Sequence, residues 1–196
     1  MNEHGATSDQ GSTTGQPKLR TERVRTSAQL EAAWQVRREV FVEEQQVPID
    51  EEMDAADTAA TTTHVIVVPL TSGPARVVDD VSDQHLDERP RAVATGRLLT
   101  DPSHPGVVHI GRVAVLAGWR TGGVGGLVMR ALEDLAARED ALDGAVRVEL
   151  SAQEQAIGFY ERLGYTVTGE RYLDAGIWHR DAHKTIEAAV VAPPAV

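Results

Sequence analysis

Val107-Val108-His109-Ile110-Gly111-Arg112-Val113-Ala114-Val115-Leu116 runs without a break into Ala117-Gly118-Trp119-Arg120-Thr121-Gly122-Gly123-Val124-Gly125-Gly126. The first half, Val107–Leu116, is apolar at Val108, Ile110, Val113 and Val115, the pattern of a β-strand. After the glycines, Val124, Leu127, Val128, Ala131, Leu132 and Leu135 recur every three or four residues, the stripe of an amphipathic helix. A glycine-rich turn between a strand and a helix is an anion site on physical grounds. Glycine lets the backbone come close, and the first helical N–H groups point at the ligand. Three phosphate cradles use this device, and spacing separates them. A P-loop needs a Gly-Lys pair, which the chain lacks. A dinucleotide fingerprint starting at Gly123 fails at its third glycine, where Val128 stands. What remains is an R-x-x-G-x-G spacing, Arg120-Thr121-Gly122-Gly123-Val124-Gly125.

Outward from this core, the elements alternate. His64–Val68 and Ala92–Leu99 read as strands upstream, the second weakened by Gly96. Asp143-Gly144 ends the helix, and Val146, Val148 and Leu150 alternate as a strand with Arg147 and Glu149 between them. Gln153–Leu163 reads as a short helix with Gly164 at its C′ position. Tyr165–Thr168 and Ile177–Ile186 are weaker terminal strands. Nearer the start, Leu30, Trp34, Val40 and Phe41 mark a helix. Thr26 and Gln29 have capping-box spacing, so Thr26 or Ser27 is its N-cap, and Pro48 bounds the region. The alternation predicts a mixed α/β sheet in a single domain spanning residues 19–187. Residues 1–18 and 188–196 are expected as tails, and 71–91 as a surface insertion.

Composition narrows the function. The absence of cysteine removes thiol nucleophiles, disulfide scaffolds and Cys-ligated metals. Nineteen basic against 30 acidic residues give a net charge of −11, which argues against a nucleic-acid partner. No apolar run reaches about 18 residues, so no membrane span is expected. Met1–Arg20 lacks the apolar core of a secretory signal, and the expected location is cytoplasmic. His179 and His183 share one face of a strand but lie about 13 Å apart along it, so no metal is expected. Glu43, Glu44, Asp50, Glu51, Glu52, Asp54 and Asp57 make an acidic stretch. It reads either as a solvated loop or as an acidic wall beside a cation site.

The R-x-x-G-x-G loop after its strand resembles that of the GCN5-related N-acetyltransferases, the GNAT superfamily. Gln153-Glu154-Gln155-Ala156-Ile157-Gly158-Phe159-Tyr160-Glu161-Arg162-Leu163-Gly164-Tyr165 resembles the family's N-x-x-A-x-x-F-Y-x-x-x-G-F/Y segment, with Gln153 in place of Asn. Arg37-Arg38-Glu39-Val40-Phe41-Val42-Glu43-Glu44-Gln45, the Ile110-Gly111-Arg112-Val113 strand start and Gly176-Ile177-Trp178-His179 resemble the ElaA/YjcF-like acetyltransferases. The resemblance covers roughly residues 20–187. It implies the single-domain GNAT acyl-CoA N-acyltransferase fold and acetyl-CoA as co-substrate.

By that resemblance, Thr121, Gly122, Gly123, Val124, Gly125 and Gly126 hold the pyrophosphate, with Arg120 for its charge and Gln153 as a further CoA contact. The backbone of Val113, Ala114 and Val115 holds the pantetheine arm where their strand splays from Val146–Ala152. Tyr160 falls where the family often keeps a tyrosine near the CoA sulfur, and its phenol can return a proton to the leaving thiolate. Glu44, Glu149 and His179 remain open as acceptor-side residues and as the base. The implied reaction is direct acetyl transfer to a primary amine, a small cationic amine or a peptide amine, in a ternary complex. The alternative is a non-catalytic acyl-CoA-binding module of the same fold. A homodimer is compatible with the sequence.

Overall fold

In the computed structural model, residues 17–70 and 91–188 are described. The expected tails and the 71–91 insertion lie almost wholly outside them. Lys18 and Ala188 lie inside, and both continue backbone pairing, to Leu70 and Gly144. The strands are β1 (Leu19–Arg23), β2 (Thr62–Pro69), β3 (Ala94–Thr100), β4 (Val107–Val115), β5 (Ala145–Gln153), β6 (Thr166–Asp174) and β7 (Ile177–Glu187). The helices are α1 (Ser27–Arg37), α2 (Ile49–Glu52), α3 (Val124–Glu139) and α4 (Ile157–Arg162). One mixed sheet has the order β1-β2-β3-β4-β5-β7-β6. Strand β1 has one apolar residue, so hydrophobic alternation does not announce it; backbone pairing with β2 makes it.

The sheet lies between two helical layers. Val65 and Val67 of β2 pack in the cluster that holds Val128, Met129, Leu132 and Ala136 of α3. Ile66 and Val68, pointing the other way, pack on Ala33 of α1. Burial on both faces explains why this strand reads as a continuous apolar run. Thr26 is the N-cap of α1: Gln29 donates its backbone N–H to the Thr26 hydroxyl, and the Gln29 side chain accepts from the Thr26 N–H. Beyond Arg37 the helix continues as a π-helical segment, Arg38–Glu44, before Pro48.

Strands β3 and β4 pair across a bulge. Between Thr95↔Ala114 and Arg97↔Gly111 the register advances two residues on β3 and three on β4. Arg112, in the bulge, has φ +53°. Opposite it, a Cβ at Gly96 would lie 2.6 Å from Val128 Cγ1 and 2.8 Å from Leu132 Cδ1. The glycine that weakens the strand pattern is what lets α3 sit so close. The bulge also changes which β4 residues face each layer: Val113 and Val115 pack toward α3, while Ala114 packs on Val36 and Val40.

The acidic stretch is neither a solvated loop nor a free acidic wall. Arg37 is fully buried and bridges Glu52 (2.6 Å) and Asp57 (2.6 Å). Arg97 bonds Asp54 (2.8 Å) and Asp57 (2.7 Å), and the bulge turns Arg112 onto Glu52 (3.1 Å) and Asp54 (3.5 Å). Trp34 Nε1 and the Asp57 carboxylate are 3.2 Å apart. Three of the seven carboxylates are therefore spent on an internal ion cluster that ties the segment after α2 to the sheet. A fourth, Glu44, meets Arg120. Glu43, Asp50 and Glu51 are the exposed remainder.

Candidate active site

The sheet opens at β4 and β5, the one parallel pair among the described strands. Pairing runs only from Val107↔Arg147 to His109↔Glu149, although β4 continues to Val115 and β5 to Gln153. Past His109 the bulge carries β4 away, and the facing edges part. A groove of about 590 Å³ occupies the opening. Val40 and Gln45 line it from the α1 layer, Phe159 and Tyr160 from α4, and Leu163 from just past its end. Residues of both layers meet here because the sheet between them is parted. Val113 and Val115 supply its β4 wall.

At one end the groove reaches the glycine turn. Gly123 has φ +73°, the left-handed geometry that glycine adopts without strain, and it turns the chain into α3. The first intrahelical bond is Leu127 N–H to Gly123 O at 3.2 Å, so the N–H groups of Val124, Gly125 and Gly126 have no acceptor inside the helix. Gly123, Gly125 and Gly126 line the groove. Val124 turns its side chain into the core, and Thr121 and Gly122 belong to the 3₁₀ turn before it.

Three guanidiniums line the groove: Arg120, Arg130 and Arg162. Arg120 is held by Val115 O (2.9 Å) and Glu44 (2.5 Å). Arg130 lies across Gly126, its Nη1 3.2 Å from where a Cβ would be. Among the described residues, Arg130 and Arg162 make no ion pair. Sequence reading missed both. The available signal was positional: Arg130 stands one helical turn after Gly126, and Arg162 two residues after Tyr160. A net charge of −11 hides this local positive surface.

Tyr160 is buried and lines the groove, edge-on to Phe159 (5.0 Å) and Tyr165 (5.8 Å). Burial pushes its phenol up to about 12, so it stays protonated at neutral pH. Gln153 stands at the end of β5 and donates to Gln45 Oε1 (2.8 Å), tying β5 to the π-helical segment. Glu149 bonds Arg147 (2.7 Å), and that bond chiefly holds its carboxyl below the usual carboxylate range. His109 is 3.9 Å from it. His179 is buried on β7, beside Gln153 in register. The structure therefore brings Val113, Val115, Arg120, Gly123, Gly125, Gly126 and Tyr160 to one groove. Ala114 faces the other layer. Glu44 sits on Arg120 at the rim, and Glu149 and His179 lie on β5 and β7.

The family description "Acetyltransferase (GNAT) domain" matches residues 86–186. The chain belongs to the GNAT acetyltransferase family. A GNAT relative from Bacillus subtilis, "Uncharacterized N-acetyltransferase YjcF", is 36% identical over 152 residues, covering 77% of this chain and 89% of that protein. Among solved structures, an "Acyl-CoA N-acyltransferase" from Pseudomonas aeruginosa is 29% identical, with a TM-score of 0.66 over 85% of this chain and 99% of that one. Escherichia coli ElaA shares the fold at 24% identity, TM-score 0.63, over 84% of this chain and 99% of that one. This GNAT protein is an acyltransferase that uses acyl-CoA as co-substrate. Its groove brings together helix-start N–H groups with no intrahelical acceptor, three arginines and the apolar side chains of Val113, Val115, Phe159 and Leu163. Among the described residues no cluster of metal-ligating side chains occurs. No helix of the described residues is long and apolar enough to cross a membrane.

Proposed function

We propose that the protein moves an acetyl group from acetyl-CoA directly to a primary amine in a ternary complex. The supporting observation is the groove at the parted strands β4 and β5, lined by residues of both helical layers. Acetyl-CoA supplies the activated thioester. Gly123, Gly125 and Gly126 with Arg120, Arg130 and Arg162 bind its phosphates, and the β4 edge at Val113–Val115 orients the arm. A freed β4 N–H polarises the thioester carbonyl. Tyr160 gives its proton to the departing sulfur. The absence of cysteine agrees with direct transfer. The acceptor is a cationic amine, a small one or that of a peptide. Support for its charge now comes from the exposed Glu43, Asp50 and Glu51 rather than from the paired Glu44, Glu52, Asp54 and Asp57.

Release of CoA thiol from acetyl-CoA, measured across a panel of primary amines, tests this. Amine-dependent release with matching N-acetylated product is expected. Tight acetyl-CoA binding with no accepting amine overturns the reading. In the same assay Arg130→Ala and Arg162→Ala should each raise the KM for acetyl-CoA about fivefold, more at low ionic strength.

A further inference from the structure

We propose that His179 is the base that takes the proton from the acceptor amine, through Nε2. This rests on the reading of the groove as an N-acetyltransferase site.

His179 is only 8% exposed, and its Nδ1 is 2.9 Å from the carbonyl oxygen of Ile177. A carbonyl can only accept, so Nδ1 carries the hydrogen and the neutral ring keeps its lone pair on Nε2. That nitrogen has no partner among the described residues, and it is not one of the sealed, partnerless atoms. His64 is the contrast: its Nε2 is 2.9 Å from Asp57 O, and its bare Nδ1 is sealed in the interior. Tyr172 lies nearly parallel to the His179 ring, 6.1 Å between centroids and 21° between planes. His179 is thus a buried imidazole with a fixed tautomer and one lone pair free.

Its place suits the task. His179 pairs with Gln153 of β5, whose amide bonds the groove-lining Gln45. This is the part of β5 that β4 has left. Two residues along β7, on the same face, Asp181 accepts a hydrogen bond from the Tyr172 hydroxyl (2.8 Å), which also lies 2.6 Å from Ser151 Oγ. Asp181 makes no ion pair among the described residues, so its charge is left to favour a cation on this face. The rival carboxylates are worse placed as bases. Glu149 is held by Arg147 and Glu44 by Arg120.

The step balances as follows. The acceptor ammonium gives one proton to Nε2, making an imidazolium. The freed nitrogen pair forms the C–N bond to the thioester carbon as the C–S bond breaks. The second nitrogen proton replaces the one that Tyr160 gives to sulfur, and His179 sheds its proton to solvent after turnover.

The test uses the best amine of the panel, with two variants. In His179→Asn the side-chain amide can still donate to Ile177 O but offers no basic nitrogen. In His179→Ala the ring is removed. Both should bind acetyl-CoA as the unaltered protein does, with kcat lowered about 10²- to 10³-fold. Added imidazole should restore His179→Ala about tenfold or more and leave His179→Asn unchanged. Unaltered kcat in either variant overturns the proposal, as does loss of acetyl-CoA binding in both, which marks a purely structural histidine. An unaltered protein that acetylates no amine instead overturns the N-acetyltransferase reading itself.

Discussion

Tyr160→Phe is expected to lower kcat about 10²- to 10⁴-fold while leaving the affinity for acetyl-CoA within a factor of about three. Only an oxygen is removed. The edge-on contacts to Phe159 and Tyr165 stay, and the hydroxyl makes no hydrogen bond to another described residue. Folding therefore has little to lose. Burial, which pushes the phenol up to about 12, keeps the proton on Tyr160 throughout the working range. The loss should accordingly be similar from about pH 6 to pH 9, rather than confined to one limb of the profile. Stopped assays of thiol release at saturating acetyl-CoA, with calorimetric titration of CoA, separate the two effects. A variant with undiminished kcat makes Tyr160 a packing residue.

Arg37→Met should cost about 3–5 kcal/mol of stability, since it leaves two buried carboxylates short of a partner. Against a total of about 5–15 kcal/mol, that is enough to unfold much of the protein near 37 °C. Arg37→Lys should recover little of it, because one ammonium cannot reach Glu52 and Asp57 in the forked geometry seen here. Urea melts monitored through tryptophan fluorescence measure both; a loss under about 1 kcal/mol would show that the cluster contributes little.

The same cluster sets an acid limit. For Asp57, burial raises the carboxyl, but the bonds and charges of Arg37 and Arg97 outweigh it, and the net shift is below the usual 3.8. Asp54 behaves likewise through Arg97. Both groups are harder to protonate folded than unfolded. Their stabilisation is present above about pH 4 and fades as pH falls through the folded values. Glu52 has the opposite sign. Burial pushes it up despite Arg37, so it takes its proton more readily in the folded state. Its uptake softens the first part of the acid branch, and the steep loss should come below about pH 4.

Much of this site could be read directly. The strand at Val107–Leu116, the glycine turn and the helix from Val124 are local features with local signals. So are the Thr26 cap and Gly164, whose φ of +88° fits a helix end. What could not be read involves partners distant in sequence. Val113 and Ala114 are adjacent and alike in composition, yet one lines the groove and the other packs on α1. The acidic run from Glu43 to Asp57 looks like one feature on paper. In space Arg37, Arg97, Arg112 and Arg120 divide it. Arg130 and Arg162 carry no motif and acquire meaning only by facing the groove.

The sequence by itself determined most of the elements, their order and the family, because caps, periodicity and glycine turns act over a few residues and leave their mark there; β1, with its single apolar residue, needed its partner strand. The tertiary structure alone decided which charges are spent and which are free. Those depend on arginines and carboxylates brought together from distant parts of the chain, 76 residues apart in the case of Arg120 and Glu44. Electrostatic interactions and hydrogen bonds act through distance in space, and distance along the chain does not report it.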